Sequence, residues 1–241
     1  MIKNQTRLRM TVNDCLELLR TYSNPDIALK KAQKFGVVAP GSWGVFQRDI
    51  NQIAKQIGKN TELGIELIEH DQYDGLLLAS KLIKPTELPK DVIKPLIARF
   101  DTWEITDSFS MKVFAPGPFA DDIIQEYANA KGEFSRRTSY ATIAGLCSAD
   151  KKSLNERFIL YFPLIIEAAT DNRNFVKKSV NWALRSIGKR NPDLRNEAIL
   201  VAEELILSNS KSAQWIAKDA LKELQQDSCR ISNYPRPIYS T

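Results

Sequence analysis

Two short stretches of this chain carry side chains that could do chemistry. In DTWEITDS, residues 101–108, Trp103 and Asp107 stand four residues apart. On a helix they would cover one patch. A carboxylate beside an aromatic ring can stabilise a cationic centre and hold a water. The same spacing also fits an aspartate that caps a loop beside a tryptophan that packs. The second stretch is NFVKKSVNWALRSIGKRNPDL, residues 174–194. At about 100° per residue, Val176, Val180, Ala183, Leu184 and Ile187 form a core stripe. Lys178, Trp182, Arg185 and Lys189 form a second stripe roughly opposite it. An aromatic ring among three cations suits contact with a sugar or a base. Packing of Trp182 against a third helix is the plainer account. Arg136 and Arg137, in GEFSRRTSYATIAGL, are a third candidate. Either could take a phosphate bidentately, and both could equally be solvated.

The elements that must position these residues read as helix after helix. Apolar residues recur at helical spacing over 12–22, 43–57, 61–69, 73–83 and 92–100. Asn24-Pro25-Asp26 can open a helix that runs through residue 32. The helix that carries Trp103 and Asp107 is predicted over 103–114, stopped by Pro116-Gly117-Pro118. Further helices are predicted over 121–130, 134–147, 154–169, 174–190, 193–207 and 210–225. Pro163 should kink or split the 154–169 helix. No segment alternates with period two. About twelve helices with short connections predict an all-α fold, a curved α-solenoid of HEAT-like helical repeats with a period near ~40 residues. A compact helical bundle is the alternative. Residues 1–226 are read as one solenoid domain, and residues 227–241, which lack periodicity, as a poorly packed tail.

Composition removes several classes of function. The chain has 241 residues, a net charge of +5 and 43% hydrophobic residues. No apolar run approaches the ~20 residues of a membrane span. The opening MIKNQTRLRM has no apolar stretch behind its cations, so it is not read as a secretory signal. Cys15, Cys147 and Cys229 are three and far apart, which favours a reducing compartment over a disulfide framework. His70 is the single histidine. No residues have zinc-ligand spacing, and no glycine-rich phosphate loop occurs. Neither a metal nor a cofactor is expected. The modest positive charge suits an anionic partner.

With these residues in view, the sequence resembles the AlkD-type DNA alkylation repair proteins, a superfamily of HEAT-like-repeat DNA glycosylases. The resemblance covers roughly 35–224. It is most specific in FVKKSVNWALRSIGKRNP and DTWEITDS, with support from FGVVAP at 35–40 and AQWIAKDALKEL at 213–224. The segment MKVFAPGPFA, just after the second motif, departs from the family pattern. The resemblance implies a curved solenoid holding duplex DNA with alkylated purines, as a cytoplasmic, nucleoid-associated monomer. It implies hydrolysis of the N-glycosidic bond of cationic bases such as N3-methyladenine and N7-methylguanine, without base flipping. Trp103, Asp107 and Trp182 then match the catalytic constellation. Arg137, or the adjacent Arg136, matches an arginine on the DNA backbone, with Lys178, Arg185 and Lys189 as further phosphate contacts. A catalytically silent DNA-binding HEAT-repeat protein and a protein-interaction solenoid remain as other readings.

Overall fold

The computed structural model describes residues 10–239. The N-terminal stretch read above for a secretory signal lies almost wholly outside them. Among the described residues the chain is all-α, with helices α1 to α14 and a last helical turn at Arg236–Tyr239. It packs as two compact units divided between Leu88 and Pro89, where the sequence reading treats residues 1–226 as one domain.

The first unit holds α1 (Val12–Thr21), α2 (Pro25–Phe35), α3 (Gln47–Ile57), α4 (Thr61–His70) and α5 (Tyr73–Leu82). Thr11 and Asp14 close a capping box at the start of α1, each satisfying an amide the helix leaves open. Helix α5 is buried at every position but Lys81 and forms the centre of the unit. The expected helix over 43–57 begins only at Gln47. The cause is Asp74, fully buried on α5. Its carboxylate accepts from the Trp43 amide at 2.7 Å and the Val45 amide at 3.1 Å. Those amides hold an extended loop instead of starting a helix. Gly44 (φ 75°) is required in that loop, because a Cβ there would stand 2.1 Å from the Asn24 carbonyl oxygen.

The second unit carries every candidate site residue. It holds α6 (Lys90–Ala98), α7 (Trp103–Phe109), α8 (Ala120–Tyr127), α9 (Glu133–Ala149), α10 (Asn155–Ile159), α11 (Phe162–Ala168), α12 (Asn174–Gly188), α13 (Pro192–Ile206) and α14 (Lys211–Leu224). Pro163 does split the 154–169 segment, and it sits in the first turn of α11, where no amide is needed. The helices form two layers. Helix α9 packs on α7 and α12, and α12 packs on α14, making one row. Helices α8, α11 and α13 back that row. Between α9 and α12, and again between α12 and α14, one offset recurs. Arg137 reaches Phe175, Asn181 reaches Asp219 and Arg185 reaches Glu223, each 38 residues on. A recurring offset means that α9, α12 and α14 run parallel, as stacked repeats of nearly the expected length require.

The core stripe of α12 is as predicted: Val176, Val180, Ala183, Leu184 and Ile187 are all fully buried. Each Val, Leu or Ile so buried contributes roughly 1.5–3 kcal/mol. The α7 helix differs from its expected form. It passes at Ser110–Phe114 into a π-helical turn, in which the Ala115 amide donates to the Ser110 carbonyl at 2.9 Å. The turn takes up one residue more than an α-helical turn would. It lets Phe109 and Phe114 both pack on Phe100, with ring centroids 5.6 and 6.3 Å away.

The segment expected as a loose tail packs against the ends of α12 and α13. Ser232 and Tyr234 amides donate to the carbonyls of Lys189 and Arg190 at 2.8 and 2.9 Å. The Asn191 amide group donates to the Tyr234 carbonyl at 2.7 Å. Beneath them Arg190 is fully buried, 3.6 Å from the Phe158 ring centre, and donates to the carbonyls of Cys147 and Asp150 at 2.7 and 2.6 Å. Helical periodicity carries no trace of such contacts, because they are made by irregular backbone.

Candidate active site

Helix α7 begins where the Thr102 hydroxyl accepts from the Ile105 amide. That cap fixes the register of the residues that follow. Ile105 and Phe109 go to the core, and Trp103 and Asp107 fall on the other side, both half-buried. The expected i, i+4 patch is therefore present.

Asp107 does not stand alone on it. Arg137, from α9, donates Nε to Oδ1 and Nη2 to Oδ2, both at 2.8 Å. Its Nη1 donates to the Phe175 carbonyl in the first turn of α12 at 2.7 Å. One buried guanidinium thus ties three helices of the row together. The expectation that Arg137 reaches a DNA phosphate meets a side chain turned inward and committed to protein acceptors. Burial pushes the Asp107 carboxyl above the ordinary carboxylate range, while the hydrogen bonds and charge of Arg137 pull it back. Arg137 uses about one lone-pair position on each oxygen, so roughly two of the four remain. A water could take those positions.

The other basic residues divide by what they touch. Arg136 donates Nε to the Ala128 carbonyl at 2.8 Å and Nη1 to Asp171 at 2.9 Å. It fastens a loop and is not free for a phosphate. Arg185 donates to Glu223 at 2.6 Å and lies 3.6 Å from Asp219, and Lys189 lies 2.8 Å from Glu223. The expected phosphate-binding role of these two meets carboxylates already in place on α14. Lys178 is exposed, as its stripe predicts. Trp182 is half-buried on the same stripe, two turns beyond Phe175, or roughly 10 Å along the α12 axis. The structure therefore joins Asp107 to Arg137 directly. It sets Trp182 on the next helix but one of the row from Trp103.

Sequence reading missed Asp219, Glu223 and Trp215. Trp215 lies on α14, is 39% exposed, and has the Lys177 ammonium 4.9 Å from its ring centre. A signal was available: KSVNWALRSIGK at 178–189 returns as KSAQWIAKDALK at 211–222. No helix among the described residues is long and apolar enough to cross a membrane.

A solved structure described as a new family of proteins related to the HEAT-like repeat DNA glycosylases with affinity for branched DNA structures superposes with a TM-score of 0.74. It is 15% identical, over 92% of this chain and 98% of that one. That likeness shows a shared fold. An engineered protein (14% identical, 91% of this chain and 98% of that one) and a designed armadillo repeat protein (14%, 73% and 86%) superpose only at 0.42 and 0.38. No curated protein sequence matches the chain. The family model described as DNA alkylation repair enzyme matches residues 15–224, most of the chain and all of the site. The chain is a member of the DNA alkylation repair enzyme family, with the HEAT-like all-α fold.

Proposed function

We propose that this protein is a DNA glycosylase that releases cationic alkylpurines, such as N3-methyladenine and N7-methylguanine, from duplex DNA. The observation that carries the reading is a half-buried carboxylate, Asp107, oriented by a bidentate arginine one turn from Trp103. An N-alkylated purine already bears a positive charge, so its departure needs no strong general acid. The barrier lies in the oxocarbenium-like deoxyribose left behind. A preorganised carboxylate stabilises that charge, and electrostatic groups of this kind are worth about 10²–10³ in rate. Arg137 acts through Asp107 as a positioning residue. It fixes the carboxylate plane and leaves the outer lone pairs for the attacking water. The ring faces of Trp103 and Trp182 suit the sugar and the developing positive charge. No step requires a metal or a cofactor, and no base-binding cavity is called for if the nucleotide stays in the duplex.

The test is release of free base from duplex DNA containing N7-methylguanine. Wild-type protein is expected to release that base and no unmodified guanine. Release of neither, under single-turnover conditions with the DNA bound, overturns the reading.

A second reading has its own support. Both Asp107 oxygens already accept from Arg137, and a structurally similar protein is described as having affinity for branched DNA. In that reading the pair is a strut and the protein binds damaged or branched DNA without chemistry. Tight, salt-sensitive binding without base release is its expected outcome.

A further inference from the structure

The recurrence at 178–189 and 211–222 places matching residues on two neighbouring helices. Lys178, Trp182, Arg185 and Lys189 on α12 correspond in spacing to Lys211, Trp215, Lys218 and Lys222 on α14. On each helix these four positions fall within about 60° of one another and opposite the buried stripe. For α14 that buried stripe is Ala213, Ile216, Ala217, Ala220 and Leu224. The two helices run parallel in one layer, so both stripes lie on the same exposed face of it.

The stripes differ in what has happened to their charge. On α12, Arg185 and Lys189 are held by Glu223, with Asp219 close to Arg185. On α14, Lys211, Lys218 and Lys222 are exposed and enter no ion pair among the described residues. Asp219 and Glu223 stand on the edge of α14 that faces α12. They cancel cations on the neighbouring helix and leave those on the exposed stripe of α14 unopposed. Trp215 lies among those lysines, its ring backed by Lys177.

We propose that α14 carries a second DNA grip, in which Lys211, Lys218 and Lys222 take backbone phosphates of the duplex beside the lesion and Trp215 packs on a sugar between them. The choice of occupant rests on charge and spacing. Three unopposed ammonium groups along about three turns of helix, roughly 16 Å, with one aromatic face among them, match a phosphate–sugar chain. The inference rests on reading this layer's exposed face as a DNA surface, and it moves the main phosphate contacts from α12 to α14.

The experiment is duplex binding as a function of salt, over about 50 to 300 mM NaCl, for the wild type and K211Q/K218Q/K222Q. Each phosphate contact contributes about 0.9 to the slope of log affinity against log salt. The triple variant is expected to lose about 2–3 from that slope while its melting temperature is unchanged. Trp215→Ala is expected to weaken binding by about 10-fold with little change in slope, and Trp215→Phe to restore most of it. An unchanged slope in the triple variant overturns the proposal, and so does a wild type whose affinity does not depend on salt. A triple variant that loses affinity for anionic vesicles or polyglutamate, but not for duplex, assigns the strip to another anion and overturns it equally. Base release is scored separately on the wild type. Absent release with a reduced slope in the triple variant removes the glycosylase reading and leaves the grip standing.

Discussion

Two of the arginine–carboxylate pairings in the second unit have similar distances and differ in every physical consequence. Asp107–Arg137 is largely buried, bidentate at 2.8 Å, and spans helices α7 and α9. Arg185–Glu223 is about 30% exposed on each side, is shared with Lys189, and spans α12 and α14. Burial makes the first pair a fixed geometric element, because neither charge can leave without stranding the other. Exposure makes the second pair a means of cancelling charge, with little energy stored in it. The first suits a reaction centre. The second neutralises Arg185 and Lys189 on the surface of α12.

The two pairs should differ most in stability. Arg137→Leu strands the Asp107 carboxylate and is expected to cost about 3–5 kcal/mol in thermal or denaturant unfolding. Glu223→Gln is expected to cost less than about 1 kcal/mol. Similar losses in the two variants would erase the distinction. Binding gives the next largest contrast. Glu223→Gln frees Arg185 and Lys189 and is expected to steepen the salt slope of duplex binding by about 1–2. A shallower slope would mean that Glu223 orders the surface and does not neutralise it.

Titration gives the smallest but most specific contrast, because the two carboxyls move in opposite directions. Burial raises Asp107, with Arg137 opposing. At Glu223 burial also acts upward, but hydrogen bonding and charge from Lys189 and Arg185 overcome it and hold the group below its ordinary range. The native state therefore holds the Asp107 proton more tightly than the unfolded chain does. Its contribution to stability is present below the unfolded pKa and declines as pH rises through the folded value. Glu223 contributes stability above the unfolded pKa that is lost as pH falls through its lowered value. Carboxyl carbon shifts followed by NMR should show Asp107 titrating above ordinary aspartate and Glu223 below ordinary glutamate. The reverse order would contradict the assignment of the two pairs.

Much of this was legible in local sequence. Spacing alone placed Trp103 beside Asp107, the core stripe on α12 and the break at Pro163, since each depends on residues within a few turns. What stayed hidden depends on partners far along the chain. Asp74 claims amides about 30 residues earlier and shortens α3. Arg137 turns inward because its acceptors lie 30 residues before and 38 residues after it. Glu223 meets Arg185 across the same 38-residue offset. A basic stripe on one helix cannot reveal that the next repeat carries its counter-charges. The recurrence of the lysine–tryptophan pattern on α14 was visible in the sequence and needed only the two stretches to be aligned. The π-helical turn after Phe109 left no mark in helical periodicity, which predicted one helix through residue 114.

In the proposed function Asp107 carries the chemistry while other parts of the face hold the DNA. The most direct measurement is single-turnover release of N7-methylguanine from duplex by wild type and Asp107→Asn, with duplex affinity measured on the same samples. Trp103→Ala should be included as a variant that leaves the buried pair intact. The account predicts a release rate about 10²-fold or more lower in Asp107→Asn, a marked loss in Trp103→Ala, and duplex affinity retained or raised in Asp107→Asn, where a negative charge has been removed. Release at the wild-type rate by folded Asp107→Asn would contradict it.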